Sequence, residues 1–309
     1  MEDLRAAISD IIGIKEQDVP GKIEYRTIES VKENGYERKL IAYESYDGKV
    51  IAYLLIPEAV RRNPAILINH QHNSERHLGK SEVCGLAGNP LQAFGPVLAQ
   101  KGFVVLAPDS ICFEDRRKGG QGTTPLSGDN DFWQHYNEMC YRIISGESLM
   151  KKVLLDAMNG ITLLAALPYV DDNNIGTLGH SYGGNTVLFL SALDERLNFS
   201  CASGSACTYK NRMLNDVGIE MASVIPGFIQ KYDIQDLVRC IAPRRLMVVS
   251  AENDKYSKDA DFTIEQARAS YSMHNKDNNL CHMRYTGGHA LTKERFDFII
   301  EWIISSGFS

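Results

Sequence analysis

No stretch of this 309-residue chain is rich enough in Pro, Gly or Ser to act as a linker, and no low-complexity tract or self-similar period interrupts it. These absences argue against solenoids and tethered modules and favour one unit, 1–309, carrying insertions. Long apolar runs are missing as well. The longest, 153–170, contains Asp156 and Asn159 and falls short of a bilayer-spanning segment. The N-terminus reads Met-Glu-Asp-Leu-Arg, acidic where a secretion signal needs basic residues ahead of an apolar stretch. The expectation is a cytoplasmic protein with no membrane partner. Positive charge is not in excess, since 33 Lys and Arg stand against 39 Asp and Glu for a net charge of -6. Basic residues gather only in small groups such as Arg61-Arg62 and Arg116-Arg117-Lys118, which argues against a nucleic-acid partner. The 7 cysteines show no CxxC spacing and are odd in number, so they read as reduced thiols.

What is present is a 44% hydrophobic chain, long enough to bury a substantial core. Leu4, Ala7, Ile8 and Ile11 recur at helical spacing, so 1–20 reads as a helical N-terminal extension. Over 22–56 the pattern becomes alternation. Asp47-Gly48 between the apolar-rich segments 39–45 and 49–56 signals an antiparallel hairpin. Strand-like segments follow at 65–69, 103–107, 175–178, 199–202, 246–250 and 281–285. Helical stretches lie between or after them at 91–100, 149–166, 185–192, 264–273 and 293–305. Such alternation predicts an α/β fold with a mainly parallel sheet, helices on both faces and the hairpin extending one edge. Two connections exceed the usual few residues, 111–148 and 205–240. Both leave the carboxyl ends of strands, where such sheets commonly carry function, and 111–148 reads as a cap.

Gly179-His180-Ser181-Tyr182-Gly183 fits G-x-S-x-G and falls between the 175–178 strand and the following helix. A serine on that sharp turn is a candidate nucleophile, with small neighbours where strand and helix backbones nearly touch. A serine hydroxyl needs a positioned base, and this arrangement supplies its partners in the order serine, acid, histidine. Asp254 lies in the turn beyond the 246–250 strand and is the candidate acid, with Glu252 as its rival. No carboxylate occurs in 203–215, which disfavours an acid after the preceding strand. His289 follows Gly287-Gly288 after the last strand and is the candidate base. His282 lies inside that strand and His274 in a polar loop. An oxyanion hole needs backbone N–H donors, and Tyr182 supplies one. Gln71 or His72, at the end of the first parallel strand, supplies the other. A metal site from His70, His72 and His77, with Cys84, is the rival reading of that stretch. Its spacing matches no strong zinc pattern, so no metal is expected.

On these segments the chain resembles the dienelactone-hydrolase and acetyl-xylan-esterase-like branch of the α/β-hydrolases over nearly all of 40–305. The resemblance is carried by 64–73, 103–109, 170–184, Tyr232-Asp233-Ile234-Gln235-Asp236-Leu237 and Ile241-Ala242-Pro243-Arg244-Arg245-Leu246, which runs on to Asp254, with His289 completing it. It implies hydrolysis of a small-molecule ester through an acyl-enzyme, with no metal or organic cofactor. Relatives commonly have His-Gly after the first strand, where this chain has His70-Gln71, and Asn73 replaces another common glycine.

Two other functions remain to be weighed. Gly179–Gly184 also resembles the G-x-S-Y-G-G turn of prolyl-oligopeptidase relatives, which generally carry a large N-terminal propeller for which 180 residues leave no room. A binding protein that keeps the fold without catalysis would show the loss of a triad member, and none is lost. Trp133 and Tyr136, three apart in 111–148, share a helix face and are candidate substrate-binding residues. The sequence leaves a homo-oligomer open.

Overall fold

The run Pro64-Ala65-Ile66-Leu67-Ile68 lacks polar alternation, as a strand covered on both faces requires. It forms the middle strand of a nine-stranded sheet in the computed structural model, which describes residues 2–59 and 61–308. The strands are β1 (Tyr25–Glu33), β2 (Tyr36–Ser45), β3 (Gly48–Pro57), β4 (Asn63–Asn69), β5 (Val104–Pro108), β6 (Val170–His180), β7 (Leu197–Ser203), β8 (Arg245–Ala251) and β9 (Leu280–Tyr285). They are ordered β1-β2-β3-β5-β4-β6-β7-β8-β9. The first three pair antiparallel with one another, and β3 pairs antiparallel with β5. From β5 to β9 every pairing is parallel. The β2–β3 hairpin turns through Tyr46 and Asp47, with Gly48 at φ 98, and β1 adds outside it as the edge strand.

The helices are α1 (Glu2–Ile12), α2 (Lys80–Val83), α3 (Phe94–Gln100), α4 (Asn130–Ile144), α5 (Leu149–Ala165), α6 (Tyr182–Leu193), α7 (Tyr209–Leu214), α8 (Ile234–Ile241), α9 (Ala260–Ser272) and α10 (Lys293–Gly307). Their starts are chemically marked. Ser148 caps α5 by accepting from Lys151 N at 3.2 Å, and Thr292 caps α10 by accepting from Arg295 N at 3.3 Å. Asp233 and Asp236 form a reciprocal capping box on α8. The stretch 91–100 is not one helix. Asn89 and Pro90 start a short 3-10 turn at Pro90–Gln92, and the chain breaks at Ala93 before α3 begins.

Consecutive residues of the central strands point to opposite faces, and two cores result. Ala65 and Leu67 join Ile8, Leu154, Val187, Leu237 and Ile264 on the side covered by α1, α5, α6, α8 and α9. Ile66 and Ile68 join Phe94, Leu98, Phe296 and Ile299 on the side covered by α3 and α10. No helix among the described residues is long and apolar enough to cross a membrane.

The segment 111–148 leaves the carboxyl end of β5 and contains α4, while 205–240 leaves that of β7 and contains α7 and α8. A buried charge cluster anchors the root of the first. Lys80, fully buried at the start of α2, bonds through Nζ to Asp109 Oδ2 at 2.9 Å, Asp115 Oδ2 at 2.6 Å and the Glu114 carboxylate. Among the described residues these three acids are the only group of His, Cys, Asp and Glu side chains close enough to share one ion, and the ammonium is bonded to all three. Removing one member of such a cluster leaves uncompensated buried charge. Lys80→Met is therefore expected to destabilise the fold by about 3–5 kcal/mol. Urea unfolding of both proteins measures this, and a change under about 1 kcal/mol would contradict it.

Candidate active site

At the end of β6 three backbones crowd together. A Cβ on Gly179 would lie 2.3 Å from the carbonyl of Gly183, and one on Gly183 would lie 2.0 Å from Asn69 O. Only glycine fits at either position, and the chain reverses between them through Ser181 at φ 58, ψ -115. That conformation is costly for a residue with a side chain, on the order of 1–3 kcal/mol. It is held by a bond from Ser181 N to Ser203 O of 2.8 Å on the neighbouring strand. The turn sets the Ser181 hydroxyl above the sheet edge.

There the Ser181 Oγ lies 2.7 Å from His289 Nε2, and His289 Nδ1 lies 3.0 Å from Asp254 Oδ1. Asp254 is 1% exposed and accepts further bonds from Tyr256 N at 2.9 Å and Ser257 Oγ at 2.7 Å. Burial alone would raise its carboxyl, but the bonds from His289, Ser257 and Tyr256 outweigh burial and hold it below the usual range. Glu252, the rival acid, is exposed. The His289 ring sits between two others, His180 at 5.0 Å and Tyr256 at 4.8 Å between centroids. His282 instead bonds to Ser250, and His274 is exposed.

Ser181 and His289 open onto a cleft of about 680 Å³ whose walls include Gln71, His72, Arg76, Trp133, Tyr182 and Glu220. As the first residue of α6, Tyr182 has an N–H without an intrahelical acceptor. The backbone N–H groups of Gln71 and His72 donate to no acceptor among the described residues. The Gln71 side chain turns away to Glu82. His72 Nδ1 accepts from Ser74 N at 2.8 Å, which puts the proton on Nε2 and aims it at Glu220. That carboxylate is largely buried, yet His72 first, with Arg76 nearby, brings it down to about 2. Asn73 and Ser74 follow at φ 37 and 61, a strained pair held by the His72 ring.

Of the two aromatic candidates, Trp133 lines the cleft with Phe132, whereas Tyr136 packs edge-on behind Trp133 at 5.5 Å. His70, His72 and His77 do not converge on one ion. His70 Nε2 accepts from Ser110 N at 3.0 Å and its Nδ1 donates to Gln71 O at 2.7 Å. Cys84 is buried in the apolar core on the α3 side. Arg76, Phe132, Glu220 and Tyr256 are cleft residues that sequence reasoning missed. The sole signal pointing toward any of them was the unusual length of the connections holding Phe132 and Glu220.

Three histidines around the site are kept neutral by burial: His70, lowered to about 4, and His135 and His180, each lowered to about 3. Their unfolded values lie near 6.5, so as pH falls below that the unfolded chain takes up protons that the folded chain refuses. The stability they allow is complete above pH 6.5 and is lost as pH falls towards the folded values. Each contributes a slope of up to about 1.4 kcal/mol per pH unit across that window. His135→Gln should remove one such contribution, flattening the dependence of unfolding free energy between pH 6 and pH 4. Denaturant titrations at several pH values measure it, and an unchanged slope would show that His135 is not neutral in the fold.

The profile of the prolyl oligopeptidase family matches residues 136–258, a span that holds Ser181 and Asp254 and ends before His289. YtaP of Bacillus subtilis strain 168, a candidate hydrolase by name, is 23% identical over 296 residues, 92% of this chain and 93% of its own. Among solved structures, a candidate acetyl xylan esterase from Bacteroides fragilis aligns with a TM-score of 0.75 and 16% identity over 92% of this chain and 74% of its own. A glucuronoyl esterase from Solibacter usitatus aligns with a TM-score of 0.71 and 16% identity over 99% and 92%. In strand order, in the serine turn and in these likenesses, the chain has the α/β-hydrolase fold in the form shared with esterase structures.

Proposed function

We propose that the protein is a serine carboxylic-ester hydrolase that works through an acyl-enzyme on Ser181. The observation that carries this reading is the continuous hydrogen-bonded series from Ser181 Oγ through His289 to Asp254, opening on a cleft. In the proposed reaction His289 Nε2 takes the Ser181 proton as Oγ attacks the ester carbonyl. The tetrahedral oxyanion receives N–H donors from Tyr182 and from Gln71 or His72. His289 then returns the proton to the departing alcohol, and a water repeats the sequence to free the acid. Asp254 stays ionised throughout and keeps the Nδ1 proton of His289 in place. Such chemistry requires no metal or organic cofactor, and its partner is a small-molecule ester, with Trp133 and Phe132 offering apolar contact to it. The esterase names of the solved neighbours support this reading.

The match to the prolyl oligopeptidase profile favours one second reading, a serine peptidase using the same three groups. A fluorophosphonate probe is expected to label the protein, and Ser181→Ala to abolish labelling. Asp254→Asn is expected to lower kcat by about 10^4, because the imidazole then adopts the wrong tautomer. Hydrolysis of aryl acetates with no cleavage of peptidyl nitroanilides supports the esterase reading, and the reverse pattern establishes the peptidase. Equal labelling of Ser181→Ala and the unaltered protein removes both.

The same mechanism makes Glu220 a positioning residue, since it holds the His72 ring and through it the strained turn that carries an oxyanion donor. Glu220→Ala is expected to lower kcat about tenfold with little change in KM, as a displaced donor does. Glu220→Gln keeps an acceptor for His72 Nε2 and should retain most of the activity. Equal losses in both variants would make the charge of Glu220, and not its hydrogen bond, the important property.

A further inference from the structure

Arg76 is 5% exposed, and among the described residues the only hydrogen bond of its side chain is from Nε to His135 Nδ1 at 3.1 Å. Neither of its terminal nitrogens has a hydrogen-bond partner among the described residues, and it forms no ion pair, although Arg76 lines the cleft that holds Ser181 and His289. A buried guanidinium left in this state is uncommon, because desolvation of its charge is normally offset by a carboxylate. Two nearby carboxylates, Glu220 and Asp131, offset part of its charge through space but bond to other groups, the second with Oδ1 left unpaired. Glu220 accepts from His72 and from Met221 N at 3.1 Å, and Asp131 Oδ2 accepts from Arg117 at 2.9 Å. His135 is neutral and supplies no compensating charge.

The arginine is also held in place. Phe113 and Phe132 lie 6.0 and 5.4 Å from its guanidinium carbon, and Arg76 O accepts from Glu114 N at 2.9 Å. Arg212 lines the same cleft and likewise has no carboxylate partner, but it spends its donors on Gly218 O and Tyr256 O. The open donors therefore belong to Arg76. Two parallel N–H groups on a fixed, planar cation that borders the cleft match the two oxygens of a carboxylate.

We propose that the ester hydrolysed at Ser181 carries a free carboxylate, which Arg76 binds in the cleft while Phe132 and Trp133 cover the apolar remainder of the molecule. This rests on the esterase reading above and specifies its substrate class. Two matched series test it. In one, monomethyl esters of three- to six-carbon dicarboxylic acids are compared with methyl esters of the corresponding monocarboxylic acids. In the other, acetylated hydroxybenzoic acids are compared with phenyl acetate. The first places the charge in the acyl half and the second in the alcohol half.

The protein is expected to prefer the charged member in at least one series. Arg76→Met is expected to lower the charged-to-neutral ratio of kcat/KM about 30-fold, the scale of one lost charge-assisted pair, with Arg76→Lys in between. A second readout does not depend on turnover of these esters. Succinate or glutarate should inhibit competitively, and Arg76→Met should raise the inhibition constant by a similar factor. If Arg76→Met fails to fold, judged by circular dichroism and thermal melting, Arg76→Lys and dicarboxylate inhibition of the unaltered protein decide. Ratios within threefold of one another in both series, or no competitive inhibition, overturn the inference. Should neutral esters be cleaved in a Ser181-dependent way with no charge preference, this inference alone fails. Should no ester of either kind be cleaved, the esterase reading fails with it.

Discussion

The closeness of β4, β6 and α6 at Gly179 and Gly183 is the constraint on which the candidate site depends. With no room for a side chain at either glycine, the turn between strand and helix is confined to one residue, Ser181, which adopts a positive φ. Its hydroxyl is thereby lifted clear of the sheet while its backbone stays tied to β7. The cost of that strained residue is small beside the burial of the central strands, whose two faces feed separate cores. Everything else at the site comes from connections leaving the same edge: Asp254 after β8, His289 after β9 and His72 after β4.

A second feature follows from putting so many ionisable groups around one cleft in a low-dielectric setting. The molecule handles them in three ways. His70, His135 and His180 are neutral, and burial is the cause. Lys80 and Glu220 remain charged because each has partners at hydrogen-bond distance, the first beneath the root of one insertion and the second in the other. Among the described residues, Arg76 alone of the cleft's buried charged side chains keeps its terminal donors free. A buried cation compensated only through space, with its terminal donors unpaired, gains when an anion bonds to it, so the same burial that weakens the free protein would strengthen a complex.

The two insertions work together on this cleft. Phe132 and Trp133 come from the first and Glu220 from the second, and His72 bonds to Glu220 across the boundary between the β4 loop and 205–240. A displacement of either insertion would therefore be felt at the turn following His72, where Asn73 and Ser74 are already strained.

The sequence by itself determined the sheet-and-helix alternation, the edge hairpin, the serine turn and the order serine, acid, histidine. These were readable because each rests on local physics: apolar periodicity, Asp-Gly turn chemistry, or small residues flanking a strand-to-helix reversal. Asp254 and Glu252 could be ranked from the sequence only by position in a turn. Tertiary structure separated them, because one carboxylate is buried against His289 and the other faces solvent. It also decided the walls of the cleft. Arg76 and Lys80 look like ordinary surface charges in the sequence, and Glu220 like any acid in a long connection, until packing brings His72 and Glu220 together across 148 residues of chain. No local pattern encodes such a contact, since it depends on how two long insertions settle against one sheet edge, and that balance is set by nonlocal burial and pairing.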